Sequence, residues 1–117
     1  LMGQENAEST GTRQLSGVGG QMDFLEGAYR SKGGKGFICI NSSRVTKDGE
    51  RKSNILATIP GGSTISAPRT MIQYVATEYG IASLSGKTLR ERAEAMASIA
   101  HPDFREELMK YARENFK

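Results

Sequence analysis

The chain has 117 residues, of which 37% are hydrophobic and 25% are charged, and its formal net charge at pH 7 is +3. This composition is typical of soluble globular proteins, and the length accommodates one domain with a modest core. The charge is too small to indicate nucleic acid by itself, and no apolar run approaches the roughly 18 residues of a membrane span. We therefore expect a single domain over residues 1–117, with neither a nucleic-acid nor a membrane partner.

Glycines are concentrated near the start of the chain, where eight of the 14 lie between Gly11 and Gly36. The densest group is in residues 16–24 (SGVGGQMDF), where three glycines occupy four positions. Glycine lets the backbone approach a ligand closely, and a turn into a helix aims N–H groups at that ligand. The run therefore predicts a cradle for an anion, or for an oxyanion that forms only during a reaction.

A helix is predicted over residues 21–30, with Met22, Leu25 and Tyr29 on its buried face. Residues 37–40 form a short apolar run that predicts a buried strand. The polar and charged residues 41–54 lack periodicity and predict a long exposed connection. Three more strands are predicted over residues 55–59, 64–66 and 74–77.

Two amphipathic helices are predicted at the C-terminus. Thr88 and Glu91 have the spacing of a capping box, and Pro102 suits the first position of the second helix. Together with the strands, these helices predict an α/β fold, an open sheet with flanking helices. The apolar faces of the two helices are Leu89, Ala93, Met96, Ala97 and Ala100, and Phe104, Leu108, Tyr111 and Ala112.

Cys39 is the only cysteine, so no intrachain disulfide can form. Its place in an apolar run predicts a buried, unreactive thiol. No signal peptide is visible, and the cysteine usage fits a reducing compartment, so we expect a cytoplasmic protein. Because the chain begins with Leu1 in the middle of plausible structure, we also expect it to be a fragment of a longer protein.

Positive charge is concentrated between residues 30 and 52, a segment that contains seven cationic and two acidic residues. This surplus of five charges could steer an anionic ligand, and it is equally compatible with a solvated surface. The segment lacks interleaved aromatic residues and a reading helix, which argues against nucleic acid.

Two familiar phosphate-binding motifs are incomplete. Gly17 and Gly19 begin a dinucleotide fingerprint, but its third glycine would be residue 22, which is Met22. Residues 86–88 (GKT) resemble the end of a P-loop, yet the first glycine of that motif would be residue 81, which is Ile81. Lys87 and Thr88 are better explained as the turn and cap of the next helix.

Glu78 follows a predicted strand, and in α/β sheets ligands bind at that end of the strands. Its position alone is equally compatible with an ordinary surface carboxylate at a turn. His101, the sole histidine, precedes Pro102 and is predicted to cap or flank the last helix rather than to transfer protons. No set of His, Cys, Asp and Glu has ligand spacing, so we expect no metal site.

Taken in order, several blocks resemble the C-terminal domain of the acetyl-CoA hydrolase and transferase family. The match is to the branch of 4-hydroxybutyrate CoA-transferases and butyryl-CoA:acetate CoA-transferases, and it implies the NagB/RpiA-like CoA-transferase fold. It covers nearly the whole chain. The matching blocks are residues 3–9 (GQENAES), 16–24, 31–35 (SKGGK), 74–82 (YVATEYGIA), 86–93 (GKTLRERA) and 99–108 (IAHPDFREEL).

The resemblance implies covalent catalysis by a glutamate. In the family this residue attacks an acyl-CoA thioester, and a glutamyl-CoA thioester follows through a mixed anhydride. The motif that carries the attacking glutamate lies upstream of the glycine-rich run and has no counterpart in this chain. The isolated chain is therefore expected to be inactive and to need the rest of its polypeptide. Acyl-CoA and a small carboxylate are the implied substrates, with no tightly bound cofactor, in an enzyme that is usually a homo-oligomer.

The resemblance also implies roles for four residues. Gly20 is expected to present its backbone N–H to the thioester or oxyanion and, with Gly19, to touch CoA. Glu78 is expected to position polar groups rather than to attack. Lys47 matches a CoA-contacting lysine, although residues 42–49 (SSRVTKDG) are longer here than the compact turn of the family. The alternatives are an acetyl-CoA hydrolase of the same family and a non-catalytic module that binds CoA or phosphate.

Overall fold

Three small sheets and three helices build the structure, a computed structural model that describes residues 1–117. The predicted α/β class, an open sheet with flanking helices, is confirmed. The elements in chain order are β1 (Ser9–Thr10), β2 (Arg13–Gln14), α1 (Gln21–Arg30), β3 (Phe37–Cys39), β4 (Ser43–Val45), β5 (Arg51–Ser53), β6 (Tyr74–Thr77), β7 (Gly80–Ser83), α2 (Leu89–Ser98) and α3 (Pro102–Asn115).

The central sheet has the order β3-β6-β7, in which β6 is parallel to β3 and antiparallel to β7. Ile38, Val75 and Ala82 occupy neighbouring register positions on these strands, and all three side chains are buried. Because alternate side chains of a strand point to opposite faces, this row gives the sheet one apolar face toward the core. The order also leaves β3 at an edge of the sheet.

The two C-terminal helices pack on one another and begin as predicted. Thr88 Oγ1 accepts a hydrogen bond from Glu91 N–H, and the Glu91 carboxylate accepts one from Thr88 N–H. His101 Nδ1 accepts from Asp103 N–H at 3.2 Å, so the cap predicted for the last helix is confirmed. None of the three helices is long and apolar enough to cross a membrane. Of the predicted apolar faces, Leu89 is exposed, whereas Ala93, Met96, Ala97, Ala100, Leu108 and Ala112 are buried.

A buried arginine fastens the N-terminal segment to α2. The Arg92 guanidinium donates to the carbonyl oxygens of Met2, Leu84 and Arg69 at 2.7, 2.9 and 2.6 Å. It has no carboxylate partner within the distance of an ion pair (4.0 Å or less). Three carbonyl dipoles therefore compensate a buried cation and join three segments that are distant in sequence.

Helix α1 forms where predicted, but only part of its predicted face is buried. Leu25 is buried and Met22 packs against the core from a half-buried position. The prediction for Tyr29 is wrong, because its side chain is 48% exposed. The helix extends past the core at its C-terminal end, where Ser31 N–H and Oγ both donate to Gly27 O.

Two predicted strands are wrong. Residues 55–59 and 64–66 are irregular, and an isolated bridge between Glu5 and Ala67 lies just after the second range. Ile55 is nevertheless buried, so its side chain packs in the core from an irregular segment and not from a strand. Pro60 lacks an N–H donor and instead accepts from Ser63 N–H in a turn, which interrupts a ladder.

The predicted connection over residues 41–54 is in fact a hairpin. Strands β4 and β5 pair antiparallel with Ser43 opposite Ser53, and Thr46 N–H donates to Glu50 O at 2.8 Å to close the turn. Its side chains are largely exposed, as predicted. The hairpin escaped sequence analysis because its backbone groups pair between strands that are mostly polar and charged, and such strands carry no apolar alternation to detect. Strand β7 and the two-residue strands β1 and β2 were not predicted.

The prediction of a buried thiol is also wrong, because Cys39 is exposed. Ile38 is buried in the core, so its neighbours Phe37 and Cys39 point to the other face of β3. That face carries no covering layer of its own in residues 1–117, which is why an apolar run contains an accessible thiol.

Candidate functional site

Glu78 and Ser42 meet where two parallel strands end. Glu78 follows β6, Ser42 lies just beyond β3, and the carboxyl ends of parallel strands lie at one edge of a sheet. Glu78 Oε2 accepts a hydrogen bond from Ser42 N–H at 2.9 Å, and Oε1 accepts one from Ser42 Oγ at 2.5 Å. Ser42 is fully buried, whereas Glu78 is exposed. We call this pair the Ser42–Glu78 clamp.

The clamp favours the ionised form of Glu78. The hydroxyl of Ser42, followed by its backbone N–H, lowers the pKa of Glu78 below its ordinary value, and the nearby His101 adds a smaller effect in the same direction. Because both carboxylate oxygens are already bound by Ser42, the side chain is held in one orientation. Such a carboxylate is suited to accepting hydrogen bonds from a ligand or another side chain.

The turn that carries Glu78 is fastened to the junction between α2 and α3. Thr77 Oγ1 donates to Ile99 O at 2.7 Å and accepts from Tyr79 N–H at 3.1 Å. The rings of Tyr79 and His101 are nearly perpendicular, with their centroids 5.8 Å apart. The Arg105 guanidinium carbon lies 4.9 Å from the Tyr79 ring centroid. These contacts give the clamp a rigid base, as a positioning role requires.

The glycine loop (residues 16–20) leads directly into α1 and is exposed. Gly19 has a φ of +62°, a left-handed conformation that favours glycine. Gly20 is the N-cap of α1, with an ordinary φ of −99°. Neither backbone N–H donates a hydrogen bond within the structure. Both therefore remain available as donors at a helix N-terminus, which is the arrangement that stabilises anions.

The glycine loop adjoins a groove that β3 lines, and the clamp lies just beyond the carboxyl end of β3. Gln21, the residue after Gly20, lines a groove of about 800 Å³ together with Cys39 and Ile40. Ser42 follows Ile40 by two residues. The predicted donor Gly20 therefore adjoins a groove that β3 lines, and the predicted supporting residue Glu78 lies beyond the carboxyl end of β3, with no hydrogen bond between the loop and the clamp.

Lys47 lies in the turn of the β4–β5 hairpin and is exposed. It makes no hydrogen bond or ion pair with any other residue of the chain. The hairpin begins directly after Ser42, so its cations extend from the same edge of the sheet as the clamp. Arg44 and Arg51 in this hairpin donate to the neutral acceptors Asn54 and Ser43, which leaves their charges without a carboxylate partner.

Ser42 is the residue that sequence analysis missed. Nothing in its local sequence marks it, since it is one of two consecutive serines in a polar segment. Its partnership with Glu78 depends on β3 and β6 being parallel neighbours, and 36 residues separate the two. Knowledge of the strand order would have placed a hydroxyl beside Glu78. No group of three or more His, Cys, Asp and Glu residues is arranged to hold a metal ion.

Comparison with known proteins places these features in context. Residues 1–112 match the model of the acetyl-CoA hydrolase/transferase C-terminal domain. The chain is similar to butyryl-CoA:acetate CoA-transferase of Anaerostipes caccae, at 49% identity over 112 residues, which cover 96% of this chain and 25% of that protein. It is similar to 4-hydroxybutyrate coenzyme A transferase of Clostridium kluyveri at 49% identity, covering 99% of this chain and 26% of that protein.

The chain is also similar to a solved structure and to more distant relatives. RipA from Yersinia pestis superimposes with a TM-score of 0.81 at 39% identity, over 97% of this chain and 24% of that one. Acetyl-CoA hydrolase of Kluyveromyces lactis is similar at 32% identity, over 87% of this chain and 18% of that protein. The chain thus spans about a quarter of the length of the transferases it matches.

Proposed function

Because the chain belongs to the acetyl-CoA hydrolase/transferase family, we propose that the full-length protein is an acyl-CoA:carboxylate CoA-transferase. The proposed substrates are small carboxylates such as 4-hydroxybutyrate, butyrate or acetate and their CoA thioesters. The observation that carries the proposal is the 49% identity to two CoA-transferases over nearly all of this chain. The exposed donors of the glycine loop support it, because they suit an oxyanion.

The proposed reaction proceeds through two exchanges. A glutamate carboxylate outside this chain attacks the thioester carbonyl, which gives a mixed anhydride and releases CoA thiolate. The thiolate attacks the glutamyl carbonyl of the anhydride, forms the glutamyl-CoA thioester and releases the first carboxylate. The second carboxylate then attacks the glutamyl carbonyl of this thioester, which gives a second mixed anhydride and releases CoA thiolate. The thiolate attacks the substrate acyl carbonyl of that anhydride, forms the new acyl-CoA and releases the free glutamate. Each attack forms a tetrahedral oxyanion.

In this scheme Gly20 donates its backbone N–H to the oxyanion, and Gly19 supplies the turn that aims it. Gly20 is suited to this role because its N–H has no partner within the chain and belongs to the start of a helix. A Cβ at Gly20 would lie 3.8 Å from the Phe24 ring, an ordinary contact, so the fold itself does not require glycine there. The absence of a side chain at Gly20 is therefore better explained by the approach of a ligand.

Glu78 acts in this scheme as a positioning carboxylate and not as the nucleophile. Both of its oxygens are engaged by Ser42 at 2.9 and 2.5 Å, which disfavours the rotation and loss of partners that an attack would need. Its lowered pKa favours the ionised form, and an ionised carboxylate can accept charge-assisted hydrogen bonds. A donor on CoA, on the carboxylate substrate or on the attacking segment is the expected partner.

The β4–β5 hairpin is proposed to attract the phosphates of CoA. Its cations extend from the edge that carries the clamp, and Lys47 is exposed and free of any ion pair. In this scheme CoA is a substrate and not a resident cofactor. Lys47 would bind as a point charge, so its loss is expected to raise the KM for acyl-CoA more than it lowers kcat.

The test is CoA exchange by the full-length enzyme. Purified protein should transfer CoA from butyryl-CoA to acetate with ping-pong kinetics, and trapping with hydroxylamine or borohydride should modify a glutamate upstream of this chain. The 117-residue chain alone should show no exchange. Exchange by the isolated chain would overturn the assignment of the nucleophile to the rest of the polypeptide.

A hydrolase is the second candidate, favoured only by similarity to the more distant acetyl-CoA hydrolases. Comparing acetate-dependent exchange with release of free CoA in water separates the two activities. A non-catalytic module that binds CoA or phosphate is the third candidate. It requires that no upstream glutamate be modified by the trapping reagents.

A further inference from the structure

A second pocket lies at the opposite end of the central sheet from the Ser42–Glu78 clamp. Its walls are the segment before β6, the segment after β7 with the start of α2, and the last turn of α1. Strand β7 is antiparallel to β6 with Ser83 opposite Tyr74, so the first two segments meet beside the first residue of β6. Glu78 follows the last residue of β6, and Gly20 lies at the other end of α1. The pocket, with a volume of about 390 Å³, is therefore separate from the clamp and from the glycine loop.

Three cationic residues, Arg69, Lys87 and Arg92, line this pocket, and no acidic residue does. We call it the basic pocket. None of the three cations has a carboxylate within 4.0 Å. Glu91 is near enough to Lys87 to be influenced by its charge, but the carboxylate of Glu91 is bound by Thr88 and does not line the pocket. Like charges that share one concave surface repel each other, and an anion between them would remove that cost.

Arg92 distinguishes the basic pocket from a patch of surface cations, because its side chain is only 7% exposed. A guanidinium has five N–H groups, and the carbonyl oxygens of Met2, Leu84 and Arg69 engage one on each nitrogen. The other two N–H groups have no acceptor within the chain. Burial and then the charge of Arg69 lower the pKa of Arg92, so the carbonyl dipoles compensate this cation only in part. A bound anion would supply both the missing charge and the missing acceptors.

Neutral donors line the basic pocket beside the cations. The hydroxyls of Thr70 and Ser85 line it and make no hydrogen bond within the chain, and neither does the backbone N–H of Leu89 at the start of α2. Residues 86–88 (GKT), which resemble the end of a P-loop, also belong to its wall. Donors that come from several segments suit an anion with three or more oxygens, such as phosphate, better than a planar carboxylate with two.

We propose that the basic pocket binds a phosphate group that does not belong to the substrate CoA. Arg69, Lys87 and Arg92 would balance its charge, and the hydroxyls of Thr70 and Ser85 would donate to its remaining oxygens. The site lies beyond the proposed function and does not rest on it, because the β4–β5 hairpin proposed for the CoA phosphates follows Ser42 at the other end of the sheet. Absence of phosphate binding would leave the transferase assignment untouched.

The first test is calorimetric titration of the full-length enzyme with inorganic phosphate at pH 7. Chloride keeps the ionic strength constant, and saturating CoA occupies the substrate site. We expect binding, and we expect Arg69→Gln combined with Lys87→Gln to weaken it about 10-fold or more, since charge-assisted hydrogen bonds are lost. The control combines Arg13→Gln with Lys110→Gln, which removes the same charge outside the pocket and should change the Kd less than about 2-fold. Equal weakening in the two variants would overturn the proposal.

Two further titrations separate the sources of the phosphate group. With methyl phosphate in place of the free ion, a similar affinity would support a phosphate monoester as ligand, and a loss of binding would support inorganic phosphate. Phosphate that CoA displaces would assign the phosphate site to the substrate and overturn the proposal. No phosphate binding by the full-length enzyme, the result if a carboxylate from the rest of its polypeptide fills the pocket, would also overturn it.

Lysine acetylation places the ligand without any substitution. The full-length enzyme is treated with an N-hydroxysuccinimide ester of acetate, and acetylation of Lys87 and of Lys110, which is exposed on α3, is followed by mass spectrometry. At a phosphate concentration about ten times the measured Kd, acetylation of Lys87 should slow about 10-fold, in proportion to the free site. Acetylation of Lys110 should not change. Unchanged acetylation of Lys87 under phosphate would overturn the proposal.

Discussion

Ser42 holds Glu78 through two hydrogen bonds, one from its backbone N–H at 2.9 Å and one from its hydroxyl at 2.5 Å. Ser42, the donor, is buried and Glu78, the acceptor, is exposed, so a buried residue orients a carboxylate at the surface. The pair exists because β3 and β6 are parallel neighbours that end at the same edge. This arrangement leads to the first prediction.

Removal of the Ser42 hydroxyl should impair the clamp without removing Glu78. In the full-length enzyme, Ser42→Ala is expected to lower kcat about 10-fold, the rate equivalent of one charge-assisted hydrogen bond. The pKa of Glu78 should rise toward its ordinary value, so the acid limb of the kcat profile should move to higher pH. The control is Ser43→Ala, because that hydroxyl accepts from Arg51 and does not reach Glu78. An unchanged pH profile in Ser42→Ala would argue against the clamp.

The glycine loop can be tested by separating its two roles. Gly20→Pro lacks the backbone N–H, and in the full-length enzyme it is expected to lower kcat about 100- to 1,000-fold, the usual effect of losing one oxyanion donor. Gly19→Ala should instead strain a φ of +62° and destabilise the loop. Gly17→Ala is the control, because an added Cβ meets nothing within 4 Å and its φ is not positive. Wild-type turnover in Gly20→Pro would remove the oxyanion role from Gly20.

The two neighbouring arginines of α2 should differ sharply in their importance for stability. Arg92→Met leaves one buried and two partly buried carbonyl oxygens without their donor, and we expect it to lower the free energy of unfolding by about 3 kcal/mol. Arg90→Met removes only an exposed pair with Glu94, worth about 0.5 kcal/mol or less. Urea unfolding of the purified chain measures both values. Similar losses in the two variants would contradict the buried network seen around Arg92.

The capping box of α2 should make stability depend on pH. The backbone N–H and hydroxyl of Thr88 lower the pKa of Glu91 below its ordinary value of 4.5. A carboxyl group whose pKa falls on folding stabilises the protein at pH values above 4.5, and this contribution is lost as the pH falls through the lowered pKa. Urea midpoints measured from pH 6 to pH 2 should therefore fall less in Glu91→Gln than in the wild type.

The matched variants for this measurement are at Thr88. Thr88→Ser keeps the capping hydroxyl and should retain the wild-type pH dependence, whereas Thr88→Val removes one of the two donors to Glu91 and should reduce it. If Thr88→Val and Thr88→Ser show the same pH dependence, the hydroxyl does not control the ionisation of Glu91.

Local signals in the sequence determined the helices of this protein. Helix α1 follows a glycine cap, α2 begins at Thr88 with Glu91 three residues later, and α3 begins with Pro102 after the capping His101. These signals suffice because a helix satisfies its hydrogen bonds among residues that are close in sequence. The same locality explains why blocks of sequence revealed the family, and why Gly20 and Glu78 could be singled out before any fold was known.

The sheets and the site depended on tertiary structure. Ile55 has the apolar character of a strand residue and lies in none, whereas the polar pair Ser43 and Ser53 forms a ladder. A strand exists only if a partner accepts its backbone groups, and that partner is chosen by topology. For this reason no local feature could show that Ser42 holds Glu78, or that Cys39 faces an open groove. The sequence specified which chemical groups are present, and the parallel pairing of β3 with β6 decided which of them meet.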